Sequence, residues 1–113
     1  MKAGGISIHV FDVSRGIAAA GLRVELRGPD GKILADGRVD AQGVLEHPTV
    51  GVTGTYEALF HVGDWYRAQR VAVPQPAFLE VVPYRFGIAD LGQHYHLPLK
   101  MTPWGFSLFR GGA

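Results

Sequence analysis

Apolar and polar side chains alternate along most of this chain, and the alternation predicts β-strands. Near the N-terminus Ile6, Ile8 and Val10 alternate with Ser7 and His9. Successive residues of a strand point to opposite faces, so the apolar set predicts a core face and the polar set an outer face. By the same criterion we predict strands over residues 5–13, 22–26, 32–39, 44–46, 55–62, 78–86, 94–100 and 104–110.

Glycine- and proline-rich turns separate these strands, and one short helix is predicted. Asp64 is placed to cap that helix, which would end near Gln69. Pro83 predicts that its strand lies at an edge or a bulge, since proline cannot donate to a ladder. Short strands at this spacing predict an all-β fold, an antiparallel β-sandwich formed by a single domain over residues 1–113.

Composition narrows the class of protein. The 113 residues include 47% hydrophobic residues, no cysteine and a formal net charge of +1. The absence of cysteine excludes disulfides and cysteine-based zinc sites, and the small charge gives no reason to expect nucleic-acid binding. No apolar run is long enough to span a bilayer, and residues 1–5 lack an apolar signal region. We therefore expect a cytoplasmic protein that does not bind membranes.

The C-terminal segment carries the clearest candidate chemistry. His94 and His96 occupy alternate positions of a predicted strand, with Tyr95, Leu97 and Leu99 on its other face. The apolar set must face the core, which leaves both imidazoles on the outer face. An imidazole titrates near neutral pH, with an unperturbed pKa of about 6.5, and is suited to general acid–base catalysis.

Four segments together resemble the transthyretin-related family, on its 5-hydroxyisourate hydrolase branch. They are His9–Asp12, Gly54–Tyr56, His94–Leu99 and Trp104–Gly111, in this order. The resemblance covers nearly the whole chain, and the C-terminal block is its specific part. It implies a transthyretin-like β-sandwich of eight strands with one short helix, assembled as a homotetramer with sites at subunit interfaces. It also implies a small-molecule substrate and, in purine catabolism, ring opening of 5-hydroxyisourate by water without a cofactor.

The resemblance also implies the site residues. His9 and His96 match the catalytic histidines of the family. Arg110 and Gly111 match the middle of its C-terminal tail, where we expect them to bind substrate together with Gly112. His94, on the face of His96, is a further expected substrate-binding residue. The two tail glycines allow the backbone to approach a ligand closely, and backbone N–H groups there are candidate oxyanion donors.

The chain departs from the family pattern at two places. Val44 occupies the position of a family arginine, and Phe109 replaces a tyrosine in a tail that also lacks its terminal serine. Valine cannot supply the rigid fork of donors that suits a planar, oxygen-rich substrate. We therefore expect either weak activity on 5-hydroxyisourate or a different substrate that is more apolar at this edge, such as an N-methylated isourate. Arg38, His47 or Lys100 could replace the missing cation.

Three alternatives stay open. His9, His94 and His96 together could bind zinc, although no fourth ligand is evident and no metal is expected. The protein could instead be a non-catalytic small-molecule carrier, as transthyretin is, or a hydrolase of another heterocycle. Trp104 and Phe106 alternate with Gly105 in the last predicted strand, which favours packing in the core or at an interface over ligand stacking.

Overall fold

Two β-sheets pack face to face around an apolar layer in the computed structural model, which describes residues 4–112. One sheet contains β1 (Ile6–Asp12), β2 (Ile17–Ala18), β5 (Val44–His47), β8 (Tyr95–Thr102) and β9 (Gly105–Leu108). The other contains β3 (Arg23–Arg27), β4 (Ile33–Arg38), β6 (Gly54–Phe60) and β7 (Val82–Ile88). A helix of about two turns, α1 (Val62–Ala68), follows β6. The predicted sandwich with one short helix is confirmed.

Alternation along the strands forms the core as predicted. Val10 of β1 and Leu99 of β8 are fully buried, and so is Ala58 of β6, which belongs to the same core cluster from the opposite sheet. On β8 the side chain of Lys100, next in the chain, is exposed. Each sheet therefore has one buried face and one outer face. The polar positions of β1 and β8 lie on the outer face.

Strand number and direction differ from the expectation in two respects. The two-residue strand β2 raises the count to nine among residues 4–112, because Ile17 and Ala18 turn back to pair with the end of β1. In addition, β1 and β8 run parallel, with Ile6 opposite Tyr95 and Ser7 opposite His96. A parallel pair requires a long crossover connection, and here the whole second sheet lies between the two strands in the chain.

The helix and the strand after it are shifted from their predicted positions. α1 begins at Val62, so Asp64 lies in its first turn, where it accepts a hydrogen bond from Arg67 instead of capping the helix. β7 begins at Val82, and Glu80 just before it accepts a hydrogen bond from Arg67 of the helix. Pro83 lies on the edge strand of its sheet, as predicted.

No helix among residues 4–112 is long and apolar enough to cross a membrane.

Candidate active site

The outer face of the five-stranded sheet gathers the predicted catalytic residues around β1. Ser7 lies opposite His96 of the parallel strand β8. Two residues further along β1, His9 lies between Pro98 of β8 and Val44 of β5. Directly opposed residues share a face, so the valine at the family arginine position is the immediate neighbour of His9. The strand pairing thus unites His9, His96 and Val44, which are far apart in the sequence.

A chain of hydrogen bonds connects the start of the described chain to His96. The Nδ1 atom of His94 lies 2.7 Å from the carbonyl oxygen of Gly4, and its Nε2 atom lies 2.8 Å from the Oγ atom of Ser7. The same Oγ atom lies 2.7 Å from Nδ1 of His96. Both ring nitrogens of His94 are therefore engaged within the protein. This arrangement does not support the expected role of His94 as a direct substrate ligand.

His9 is held by the turn between β4 and β5. Its Nε2 atom donates a hydrogen bond of 3.1 Å to the carbonyl oxygen of Gln42. The carboxylate of Asp40 shapes this turn by accepting 2.9 Å hydrogen bonds from the N–H groups of Gln42 and Val44. Gly43 has φ of 82°, and a Cβ atom there would lie 2.5 Å from a carbonyl oxygen of β1. Glycine is required at this point of the turn.

The electrostatic environment favours a neutral His96. Burial lowers the pKa of His96 below its ordinary value, and positive charge on His9 and His94 would lower it further. Its Nδ1 atom is engaged by Ser7, which leaves Nε2 as the nitrogen that can contact a ligand. A neutral imidazole with an available nitrogen can accept a proton from water.

The C-terminal tail runs beside β8 and contacts His96. The N–H of Gly111 donates a 2.8 Å hydrogen bond to the carbonyl oxygen of His96, forming an antiparallel bridge. A Cβ atom at Gly111 would lie only 2.8 Å from Cδ2 of the His96 ring. Gly112 is exposed and has open space around it. The structure therefore brings the tail glycines to His96, and only glycine allows so close an approach at position 111.

Arg110 is not brought to the histidine pair. Its guanidinium carbon lies 4.1 Å from the ring centroid of Tyr95, and its Nη2 atom donates to Oε1 of Gln93 and to the carbonyl oxygen of His94. Neighbouring residues of an extended chain point to opposite sides. Because Gly111 lies against His96, Arg110 is directed to the other side of the tail. Its expected role in substrate binding stays a prediction that this arrangement does not support.

Of the three candidate replacement cations, one shares the face of the histidines. Arg38 lies on β4 of the other sheet and donates to the carbonyl oxygen of Gly21. His47 pairs with Ile6, whose side chain is in the core, and therefore lies on the core side of β5. Burial also lowers the pKa of His47. Lys100 lies two residues beyond Pro98 on the outer face, so it alone of the three is placed near the site.

The tail adds an aromatic side chain to the same face. The ring of Phe109 lies 5.9 Å from Nζ of Lys100, and it alternates with Arg110 along the tail. Phenylalanine therefore occupies the position where the resemblance implies a tyrosine hydroxyl. Together with Val44, it makes this outer face less polar than the family pattern implies.

The geometry does not form a metal site within residues 4–112. No group of three or more histidine, aspartate, glutamate or cysteine side chains there is arranged to hold a metal ion. His94 in particular has no free nitrogen, because Gly4 and Ser7 bind both.

The sequence interpretation missed two contributors to the site. Ser7 shares the polar face of β1 with His9, so the alternation contained a signal for it. The carbonyl group of Gln42 gave no such signal, because the direction of a backbone carbonyl depends on the turn. Glu46 also lies on this face, opposite Ser7.

Fold and site together define a two-sheet β-sandwich that carries a histidine cluster on the outer face of one sheet. The sequence profile described as the HIUase/Transthyretin family matches residues 6–111. The chain belongs to this family, which confirms the resemblance.

Individual relatives match over nearly their full length. The chain is 44% identical to 5-hydroxyisourate hydrolase 2 of Rhizobium meliloti, covering 97% of this chain and 98% of the relative. It is 43% identical to 5-hydroxyisourate hydrolase of Deinococcus radiodurans, covering 95% of each. The structure of the Klebsiella pneumoniae 5-hydroxyisourate hydrolase superimposes with a TM-score of 0.83 at 27% identity, covering 96% of this chain and 99% of that one.

Proposed function

We propose that this protein is a hydrolase that opens the ring of 5-hydroxyisourate, or of a closely related oxidised purine, in purine catabolism. The expectation of a hydrolase agrees with the relatives, which are 5-hydroxyisourate hydrolases. The observation that carries the mechanism is the placement of His9 and a neutral His96 on one outer face. No metal or cofactor is part of this proposal.

In the proposed reaction His96 is the general base and His9 the proton donor. Nε2 of His96 takes a proton from water as the water oxygen forms a bond to a ring carbonyl carbon. The tetrahedral intermediate then collapses, the carbon–nitrogen bond of the ring breaks, and the leaving nitrogen takes a proton from Nδ1 of protonated His9, whose Nε2–H stays bound to the carbonyl oxygen of Gln42. The proton on His96 passes to solvent and His9 is reprotonated, so that one water is consumed and the ring is opened.

The tail contributes to this site through its backbone. The N–H of Gly111 is already engaged by the carbonyl oxygen of His96, so we assign the role of oxyanion donor to the N–H of Gly112. Exposure of Gly112 next to the His96 bridge supports this assignment. A single oxyanion donor of this kind is typically worth about 2.7–4 kcal/mol of transition-state stabilisation.

The function is tested by the ultraviolet decay of freshly generated 5-hydroxyisourate. We expect the wild-type protein to accelerate the decay, and we expect His96→Ala and His9→Ala each to lose about 10²- to 10⁴-fold in kcat, the usual contribution of an acid or base. His47→Gln is the matched control, because His47 lies on the core side of β5. An inactive wild-type protein, or full activity in both alanine variants, would contradict the proposal.

We further propose that Val44 shifts the preference of the site toward an N-methylated isourate. Val44 is the neighbour of His9, and Phe109 makes the same face less polar. A methyl group in place of an N–H removes a donor that a valine-lined edge cannot satisfy.

The preference is measured as the ratio of kcat/KM for methylated and unmethylated substrate. We expect the wild-type ratio to be at least one and Val44→Arg to lower it by about tenfold or more, since charged hydrogen bonds are worth about 1.5–3 kcal/mol. Val44→Leu, which stays apolar, should keep the ratio. Much faster turnover of the unmethylated substrate by the wild-type protein would refute this preference.

The absence of an arginine at Val44 favours one alternative, a non-catalytic carrier. Such a protein would bind the purine without turnover and would keep its affinity in either His9→Ala or His96→Ala. The decay assay separates this case from the hydrolase directly. Histidine-dependent turnover of a different heterocycle would instead indicate a repurposed hydrolase.

We also infer a homotetramer with sites at subunit interfaces, located in the cytoplasm. The exposed edge of β9 supports the assembly: Trp104 is 60% exposed and Phe106 is 47% exposed in the single chain. Edge strands with large apolar side chains are disfavoured on a free surface. The absence of cysteine is consistent with a reducing compartment, where disulfides are rare.

A further inference from the structure

The hydrogen bonds between Gly4 and His96 have a fixed direction. A backbone carbonyl can only accept, so Nδ1 of His94 must carry the proton in its 2.7 Å contact with Gly4. In neutral His94 the other nitrogen, Nε2, then has a lone pair and accepts the hydroxyl hydrogen of Ser7 across 2.8 Å. The hydroxyl of Ser7 has only one hydrogen, so its oxygen must accept the hydrogen on Nδ1 of His96 across 2.7 Å.

We propose that Ser7 and His94 are positioning residues that hold neutral His96 in its Nδ1–H tautomer, with the unprotonated Nε2 facing the substrate side. An unconstrained histidine side chain favours the opposite tautomer, with its proton on Nε2. The bond made by one ring nitrogen decides which nitrogen carries the proton. The effect that this positioning has on turnover rests on the proposed role of His96 as a base.

The carbonyl group of Gly4, where this series of hydrogen bonds begins, is held rigidly. Gly4 is buried, its φ is 74°, and its N–H donates a 3.0 Å hydrogen bond to the carbonyl oxygen of Gly92. A Cβ atom at Gly4 would lie 2.9 Å from the carbonyl oxygen of Leu91. The carbonyl group that orients His94 is thus fixed by the backbone of the loop before β8 and cannot adapt to a different tautomer.

Ser7 acts as a connector in this arrangement and not as a nucleophile. Its side chain belongs to a residue that is only 8% exposed, and its oxygen is shared between two imidazoles. A hydroxyl in this position transmits the direction of one hydrogen bond to the next.

The tautomer is tested directly by NMR, without any substrate. Two-bond ¹H–¹⁵N correlation spectra of the uniformly labelled wild-type protein, recorded above the titration of His96, distinguish the two tautomers. We expect the Nδ1–H form for both His94 and His96. A predominant Nε2–H form of His96 would overturn the proposal. If the Nδ1–H form is found in a protein that does not turn over any oxidised purine, the positioning stands and the proposed function fails.

Variants test whether Ser7 and His94 cause the tautomer. Ser7→Ala should return His96 to the Nε2–H form and lower kcat about tenfold to a hundredfold, the loss typical of removing an orienting partner, with KM little changed. Ser7→Thr keeps the hydroxyl and should restore both readouts, whereas Thr53→Ala, which removes an exposed hydroxyl from the loop before β6, is the control. An unchanged His96 tautomer in folded Ser7→Ala would overturn the causal role.

His94→Phe provides the second variant and gives a distinct spectroscopic signature. It keeps an aromatic ring but removes the acceptor of the Ser7 hydroxyl, which is then free to donate to Nδ1 of His96. We expect His96 to change to the Nε2–H form although Ser7 is still present. Retention of the Nδ1–H form in this variant would show that His94 does not set the direction.

Discussion

His96 combines an available nitrogen with an environment that keeps it neutral. The free nitrogen follows from the hydrogen bond between Nδ1 and Ser7, and the lowered pKa follows first from burial and then from the neighbouring His9 and His94. A general base works only in its neutral form, so a lowered pKa extends the active range toward acid.

The pH dependence of kcat/KM tests this at the residue scale. The ordinary histidine pKa is about 6.5, and the pKa of His96 lies below it. As the pH falls, activity should therefore persist below pH of about 6.5 and be lost only as His96 becomes protonated. The control is an NMR titration of the His96 ring, which should give the same midpoint. An acid limb at or above the ordinary value would contradict the assigned base.

Part of this residue-scale arrangement could be predicted from the sequence. Alternation placed His9 and Ser7 on one face, and the resemblance identified His9 and His96. The direction of the side chains in the tail could not be predicted in the same way, because it depends on which residue pairs with His96. Once Gly111 takes that place, Arg110 must point to the other side.

At the scale of elements, the site depends on two strands that the sequence separates widely. β1 and β8 are parallel neighbours, and this pairing brings Ser7 next to His96. Alternation indicates that each strand has an outer face, but it contains no information about the direction or register of a pairing across the intervening sheet. The antiparallel expectation was therefore wrong for this pair, although the core faces were predicted correctly.

The tail is the element whose close approach to His96 is most easily tested. Gly111→Ala introduces a Cβ atom 2.8 Å from Cδ2 of the His96 ring, so the ring or the tail must move. A displacement of about 1 Å in a catalytic group can cost as much as 10²-fold, and we expect kcat/KM to fall at least tenfold. The measurement is the decay assay together with the imidazole NMR signals of His96.

Gly87→Ala is the matched control for this substitution. It adds the same methyl group to an exposed glycine of β7, in the other sheet, where nothing lies within 4 Å. We expect it to keep the activity and the His96 signals. Equal losses in the two variants would indicate a general effect of the added methyl group on the fold and not the contact of the tail with His96.

At the scale of the whole molecule, the edge strand β9 and the turn before it expose large apolar side chains, which edge strands of monomeric proteins usually lack. Trp104 and Phe106 were expected in the core or at an interface, and their exposure in the single chain excludes the core. Among the aromatic rings of residues 4–112, Trp104 contacts only Phe78, which is also exposed. The sequence could indicate apolar positions here, but it could not distinguish an inner strand from an edge strand.

The assembly is tested by changing the edge of β9. A stable interface buries about 1,200–2,000 Å², and a charge at its centre leaves an unpaired carboxylate without water. We therefore expect the wild-type protein to sediment as a tetramer and Phe106→Asp to form smaller species. Val52→Asp, at a residue 58% exposed in the loop before β6, should stay tetrameric. If the sites lie at the interface, kcat/KM should fall in parallel with the loss of tetramer. A fully active monomeric Phe106→Asp would show instead that each chain holds a complete site, and a monomeric wild-type protein would refute the assembly itself.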